Sequence, residues 1–306
     1  MHGVYSVPAV ASLLGLPFFG SSGVDVFFVI SGFIMVAITA RGEAASPGRF
    51  LLQRIVRVVP LYWLALLLTV VGGSFTAAEI AKSFLFIPYA SQRLYGGLYP
   101  ILPSGWTLNY EMFFYLLFAL SLAGPRRLRV PALAALMALW VLAGKFLGPF
   151  SGAWANFYSS PLLLEFAGGM LLARVWMTHG APRSLGIALA AIVLGLYSLG
   201  AAHSRPVIMG GAFLIVAAAL HPWLAALRSR ALLALGNASY SIYLFHPIVQ
   251  DALAWASTRF VWRVSRATSY VYLIGAVALS LACGLICYRY VEQPLITRLR
   301  RLARTL

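Results

Sequence analysis

Ser104-Gly-Trp-Thr-Leu-Asn-Tyr-Glu111-Met-Phe-Phe-Tyr115-Leu-Leu-Phe-Ala-Leu120 decides the fold. From Trp106 onward this run is apolar enough for a helix in lipid, yet it carries a carboxylate, Glu111, about a third of the way in. A charge inside the hydrocarbon costs roughly 2.5–3.5 kcal/mol on insertion scales, so such a group faces a water-filled cavity or a partner. Two readings of Glu111 stand at this point: a functional carboxylate, or a structural one paired with a neighbouring Tyr or Arg.

The 306 residues around it are 61% hydrophobic and 10% charged, with a mean hydropathy of +0.87. A water-soluble domain of this length needs far more polar surface, so the composition predicts an all-α, polytopic integral membrane bundle. The apolar runs, about 17–22 residues each, suit helices and not barrel strands, because a helix satisfies its own backbone in lipid. Only seven carboxylates occur, Asp25, Glu43, Glu79, Glu111, Glu165, Asp251 and Glu292. The net charge of +16 lies between apolar runs and comes with no RNA- or DNA-binding motif, which excludes nucleic acid as its explanation. Cys283 and Cys287, four apart in a late apolar run, read as packing residues; no metal-ligand spacing appears. The start lacks the basic segment of a cleavable signal peptide.

Spans are expected at 23–40, 55–72, 106–123, 131–148, 161–177, 185–201, 206–222, 236–256 and 270–290, about nine helices in one membrane-embedded domain covering 1–306. Residues 1–22, broken by Pro8 and Pro17, are expected to form a helix end and an outer loop. With this layout sixteen of the 23 Lys and Arg fall on one side of the membrane, including Arg41, Arg49, Arg54, Arg57 and those of the C-terminus. The positive-inside rule makes that side cytoplasmic and puts residues 1–22 and 73–105 outside. An odd helix count that starts outside implies one further helix before Met1.

Several residues on these spans are able to carry chemistry. Asp25 opens the first span from the outer side, where an acid also favours the positive end of the helix dipole. Ser31 and Gly32 are small enough to admit a neighbouring helix. Arg54 and Arg57, three apart, share one helix face at the cytoplasmic boundary. They suit phosphate, which the planar guanidinium reads with parallel hydrogen bonds, and equally suit plain anchoring. Glu165, beside Gly168 and Gly169, reads as a buried hydrogen-bonding acid at a close helix contact. Ser239, Tyr243, His246 and Gln250 follow a 4-3-4 spacing, a polar stripe that must face protein or water. It serves either the substrate or helix packing.

Six segments, in chain order, carry a resemblance: GVDVFFVISGF (23–33), RFLLQRIVRVVPLYW (49–63), GWTLNYEMFFYLLF (105–118), LEFAGGMLLA (164–173), GNASYSIYLFHP (236–247) and YVEQP (290–294). Together they resemble the membrane-bound acyltransferase-3 family, which includes O-acetyltransferases of O-antigen, exopolysaccharide and Nod factors. The wording is most similar to the exopolysaccharide-production acetyltransferases. The resemblance implies about ten helices and an acyl group taken from cytoplasmic acetyl-CoA. The group passes to a hydroxyl of a cell-surface polysaccharide or its lipid-linked precursor, without a metal. It implies that Arg54 and Arg57 contact the CoA phosphates. The family carries an Arg and, after ten residues, a His on its first helix; His2 fits the place of that His, and the Arg would precede Met1.

Within that reading His2 is the candidate base or acyl carrier, with Glu111 or Asp25 supporting its imidazole. A secondary transporter or glycan exporter is the competing expectation, because it too uses intramembrane acids; the absence of inverted repeats argues against it. An inactive member of the family is the third.

Overall fold

The computed structural model describes residues 22–40, 46–90, 97–201, 204–227, 229–259 and 266–302. His2 and Glu43, and with them the expected 1–22 helix end and loop up to residue 21, lie outside the described residues. Every expected span contains a helix: α1 Ser22–Ala40, α2 Pro47–Val71, α4 Gly105–Ser121, α5 Arg126–Leu147, α7 Leu163–His179, α8 Leu185–Ala201, α9 Arg205–Ala219, α11 Arg230–Arg259 and α12 Arg266–Cys287. Three short helices were not anticipated: α3 Ala77–Phe84, α6 Ala153–Tyr158 and α10 Pro222–Ala225. After α12 comes a π-helical turn, Tyr288–Glu292, and then α13, Gln293–Leu302.

Among the described residues five stretches are long and apolar enough to cross a membrane: Ser22–Ala40, Pro47–Val71, Arg126–Leu147, Arg230–Ser257 and Thr268–Leu302. Helices α4, α7 and α8 have 17 residues each, at the lower limit for a bilayer core, and α9 has 15. The largest departure from expectation is the start of α2, eight residues before 55. Ser46 caps it by accepting the Arg49 N–H at 3.3 Å, and Pro47 occupies the first turn. Arg54 and Arg57 therefore sit seven and ten residues inside a helix, about 10 and 15 Å along its axis, and not at its edge.

Packing fixes the direction of each helix. Phe28 of α1 meets Trp106 and Tyr110 of α4 at ring distances of 6.4 and 5.9 Å, so these two helices run in the same direction. Phe28 also stacks on Phe166 of α7 at 4.4 Å. There α1 and α7 touch at backbone distance: a Cβ on Gly32 would lie 2.1 Å from the Phe166 carbonyl oxygen, and one on Gly169 would lie 2.0 Å from that of Val29. Phe50, near the start of α2, packs on Tyr115 and Phe118 near the end of α4 at 6.2 and 5.2 Å. Helix α2 thus runs opposite to α4. Arg174 near the end of α7 donates to the Arg127 carbonyl at the start of α5 (2.9 Å), which makes that pair antiparallel as well. Helices α1, α4, α7 and α9 all begin at one face of the bundle.

At that face α3 closes over the end of α2. Thr76 and Glu79 form a reciprocal capping box, with Thr76 N–H donating to Glu79 at 2.9 Å and Glu79 N–H to Thr76 at 3.2 Å. The buried Tyr62 hydroxyl donates to the Ser83 carbonyl at 2.9 Å, and Ile101 N–H donates to the Ser83 hydroxyl at 3.1 Å.

Candidate active site

Glu111 lies on the face of α4 that looks into the bundle and is only 4% exposed. The Tyr115 hydroxyl, one turn further along the same helix, donates to its Oε1. The Ser31 hydroxyl of α1 donates to the same oxygen at 3.3 Å. Arg54 and Arg57 lie near enough for their charge to act on the Glu111 carboxylate, without a direct ion pair to it. Burial in α2 explains how this happens: a guanidinium 10–15 Å into a helix needs an anion as much as a buried carboxylate needs a cation. The structural reading of Glu111 expected a neighbouring Tyr or Arg, and Tyr115 is that direct partner.

Arg57 has a second, direct partner that sequence reasoning missed. Its Nη1 forms an ion pair with Glu292, which is fully buried on the π-helical turn. Ser241 of α11 donates to the other oxygen of Glu292 at 2.5 Å. The Arg57 guanidinium also lies 5.8 Å from the ring centre of Tyr240, whose hydroxyl donates to the Val58 carbonyl at 2.7 Å. Arg57 and Glu292 form the direct ion pair of this region; Arg54 and Glu111 stand near it, and the formal charges of the four groups balance. Arg54 Nε is buried without a hydrogen-bond partner.

Asp25 takes part in a different cluster. Its carboxylate, 1% exposed, contacts Arg205 Nη1 at 2.9 Å, and Arg205 Nη2 donates to Glu165 Oε1 at 3.3 Å. All three residues stand in the first turn of their helices, α1, α9 and α7. Asp25 Oδ2 and Glu165 Oε2 have no hydrogen-bond partner. Two acids share one guanidinium, which leaves a formal excess of one negative charge. Asp25 and Ser31 are six residues apart on α1, about 9 Å along its axis, so Asp25 and Glu111 occupy different levels of the bundle. Arg205 is one of the seven Lys and Arg that the charge-derived layout leaves on the outer side. Its position at the outer start of a span, opposite two acids at the outer starts of theirs, was the available signal.

The polar stripe divides. Tyr243 stacks on Phe27 of α1 at 6.5 Å, and its hydroxyl lies 2.8 Å from that of Thr107 and 3.2 Å from the Ser104 carbonyl. His246 Nδ1–H donates to the Tyr243 carbonyl at 2.7 Å, which leaves Nε2 with the lone pair when the ring is neutral. Ser239 is exposed. Tyr240 and Ser241, one and two positions along from Ser239, make the contacts to the charged groups instead. Among the described residues no group of three His, Cys, Asp or Glu is arranged to hold a metal ion.

Long apolar helices that bury two charged clusters define a multi-pass membrane protein with a polar interior, the class to which intramembrane enzymes and transporters both belong. The chain decides between them: residues 1–289 match the family described as "Acyltransferase domain", and the protein belongs to it. It is similar to the exopolysaccharide production protein ExoZ of Rhizobium meliloti (strain 1021), 36% identical over 296 residues, which are 91% of this chain and 90% of that protein. It is similar to nodulation protein 10 of Rhizobium leguminosarum bv. viciae, 28% identical over 340 residues, 90% of this chain and 82% of that protein. Likeness to acyltransferase MdmB of Streptomyces mycarofaciens is 25% over 340 residues, 95% and 84% of the two chains. No solved structure matches it at comparable significance. The protein is an acyltransferase that moves groups other than aminoacyl groups.

Proposed function

We propose that this chain takes an acetyl or other acyl group from acyl-CoA at the cytoplasmic face of the inner membrane. It would pass the group to a hydroxyl of a cell-surface polysaccharide or its lipid-linked precursor. The observation that carries the donor side is the Arg54 and Arg57 pair beside Glu111, with a buried Nε on Arg54 that no protein group satisfies. That donor set suits a diphosphate, because guanidinium and phosphate pair through parallel charge-assisted hydrogen bonds. The acceptor class follows the relative named for exopolysaccharide production. The sixteen-to-seven charge bias supports a cytoplasmic side for Arg54, Arg57 and the C-terminus.

In this reading the His2 imidazole accepts the proton of the sugar hydroxyl as its oxygen bonds to the acyl carbon. The C–S bond breaks, and the CoA thiolate takes up a proton. Alternatively the imidazole carries the acyl group between the two substrates. Glu111 orients the imidazole or stabilises the imidazolium, and Asp25 is the second residue proposed for that support. Tyr243 and His246 offer hydrogen-bonding groups to the acceptor on the side where α4 begins.

The test uses membranes containing the full-length protein, supplied with acetyl-labelled CoA and acceptor glycan. Wild type transfers label to glycan. Arg54→Gln raises the donor concentration needed for half-maximal rate about tenfold, the worth of one charge-assisted hydrogen bond. Glu111→Gln lowers the maximal rate about 10²-fold, the range of acid–base support. A donor requirement unchanged in Arg54→Gln refutes the phosphate assignment and leaves anchoring.

A further inference from the structure

Glu292 is fully buried, as only Thr107 and Ser241 are among the other polar residues described, yet the mechanism above gives it no task. Its position is peculiar. The last membrane helix stays α-helical to Cys287, widens to a π turn over Tyr288–Glu292, and resumes as α13 at Gln293. A π turn holds one more residue than the α-helical turn it replaces, so it rotates the side chains that follow around the helix axis. Such turns occur mostly as single insertions, often at functional sites. Here the turn ends on the carboxylate that meets Arg57 across 235 positions of chain. The arrangement holds Glu292 from two further directions: Ser241 donates to it at 2.5 Å, and α12 presses against α11 where a Cβ on Gly284 would lie 2.6 Å from the Ile242 Cα.

Arg57 is itself about one third exposed, so its guanidinium reaches beyond this contact. One nitrogen, Nη1, is committed to Glu292, one face lies over Tyr240, and the remaining N–H groups are uncommitted among the described contacts. A long cationic side chain restrained at one nitrogen loses less rotamer freedom when it binds a second anion.

We propose that Glu292 is the positioning residue of the donor site: the π turn brings its carboxylate onto Arg57, fixes that guanidinium at the level of Glu111, and presents its free donors to the phosphates of the acyl donor. This rests on the reading of Arg54 and Arg57 as phosphate contacts. It assigns a role to the C-terminal end of the last membrane helix, which otherwise stands apart from the reaction.

The test compares Glu292→Gln, Glu292→Asp and Ser241→Ala in the full-length protein in native membranes, with acetyl-CoA as donor. Glu292→Gln is expected to raise the donor KM about tenfold while the acceptor KM stays within about twofold. Glu292→Asp is expected to recover part of that loss, and Ser241→Ala to raise the donor KM by a smaller factor. In an Arg57→Gln background Glu292→Gln is expected to add nothing further. An unchanged donor KM in Glu292→Gln overturns the proposal. So does a loss of rate with the donor KM intact, which marks a structural strut only. If Glu292→Gln does not accumulate, Ser241→Ala decides, and an unaltered donor KM there overturns it too. Absence of any CoA-dependent transfer by wild type would instead reject the underlying donor reading, so the two failures are distinct.

Discussion

Arg205 neutralises part of two buried carboxylates, Asp25 and Glu165, and each is within 2% of complete burial. Removing one partner of a fully buried ion pair costs roughly 3–5 kcal/mol, because the abandoned charge stays in low dielectric. The Arg205 side chain is 36% exposed and water screens it, so Arg205→Gln is expected to cost less, on the order of 2–3 kcal/mol. Thermal unfolding in detergent measures this, and Glu165→Gln in the Arg205→Gln background is expected to recover part of the loss. Equal midpoints for Arg205→Gln and wild type would mean that the cluster has no energetic role. Five of the acids have specific partners: Asp25 and Glu165 share Arg205, Glu79 has its capping box, Glu111 has Tyr115 and Ser31, and Glu292 has Arg57 and Ser241. The apolar runs marked Glu111 and Glu165 as acids inside expected spans and both are buried, whereas buried Glu292 falls just beyond the expected span 270–290. The partners on other helices were not legible, because they lie far away in the chain and no local spacing encodes them.

At the level of elements, the contact between α1 and α7 depends on two glycines. A methyl on Gly169 would overlap the Val29 carbonyl, so the helices must separate to admit it. Gly169→Ala is expected to cost about 1–3 kcal/mol, as overpacking does. Gly210 of α9 has nothing within 4 Å of a built Cβ, and Gly210→Ala is expected to be neutral or to stabilise by up to about 1 kcal/mol through helix propensity. Unfolding midpoints for the two variants settle it, and equal behaviour would contradict the close contact. The sequence made the small residues visible at Gly32 and Gly169 but did not show that they meet each other's helices. It located the bodies of the membrane helices to within a few residues wherever an apolar run was unbroken. It missed the start of α2 because Arg49, Gln53 and Arg54 interrupt the run before residue 55. The helices α3, α6 and α10 were missed because each is shorter than the windows in which periodicity becomes visible.

At the scale of the whole molecule, the two charged clusters order the bundle along its axis. Asp25, Glu165 and Arg205 occupy the level where α1, α7 and α9 begin, and the cluster of Arg54, Arg57, Glu111 and Glu292 lies further in. Ion pairs across helices require partners at equal depth. The Arg205 contacts unite three residues that the charge-derived layout puts on the outer side, and Arg57 with Glu292 unites two that it puts on the inner half. Hydropathy therefore read the helical architecture from sequence, whereas the depth of Arg54 and Arg57 needed the fold. In the proposed reaction an acyl donor held from the Arg54 and Arg57 side supplies an acceptor on the opposite side. The direct measurement is transfer from acetyl-labelled CoA in sealed vesicles of defined orientation that contain the full-length protein and acceptor glycan. Label is predicted to reach glycan in inside-out vesicles, where added CoA meets the cytoplasmic face, and not in right-side-out vesicles unless they are permeabilised. Equal labelling in both sealed orientations, or labelling only in right-side-out vesicles, would contradict it.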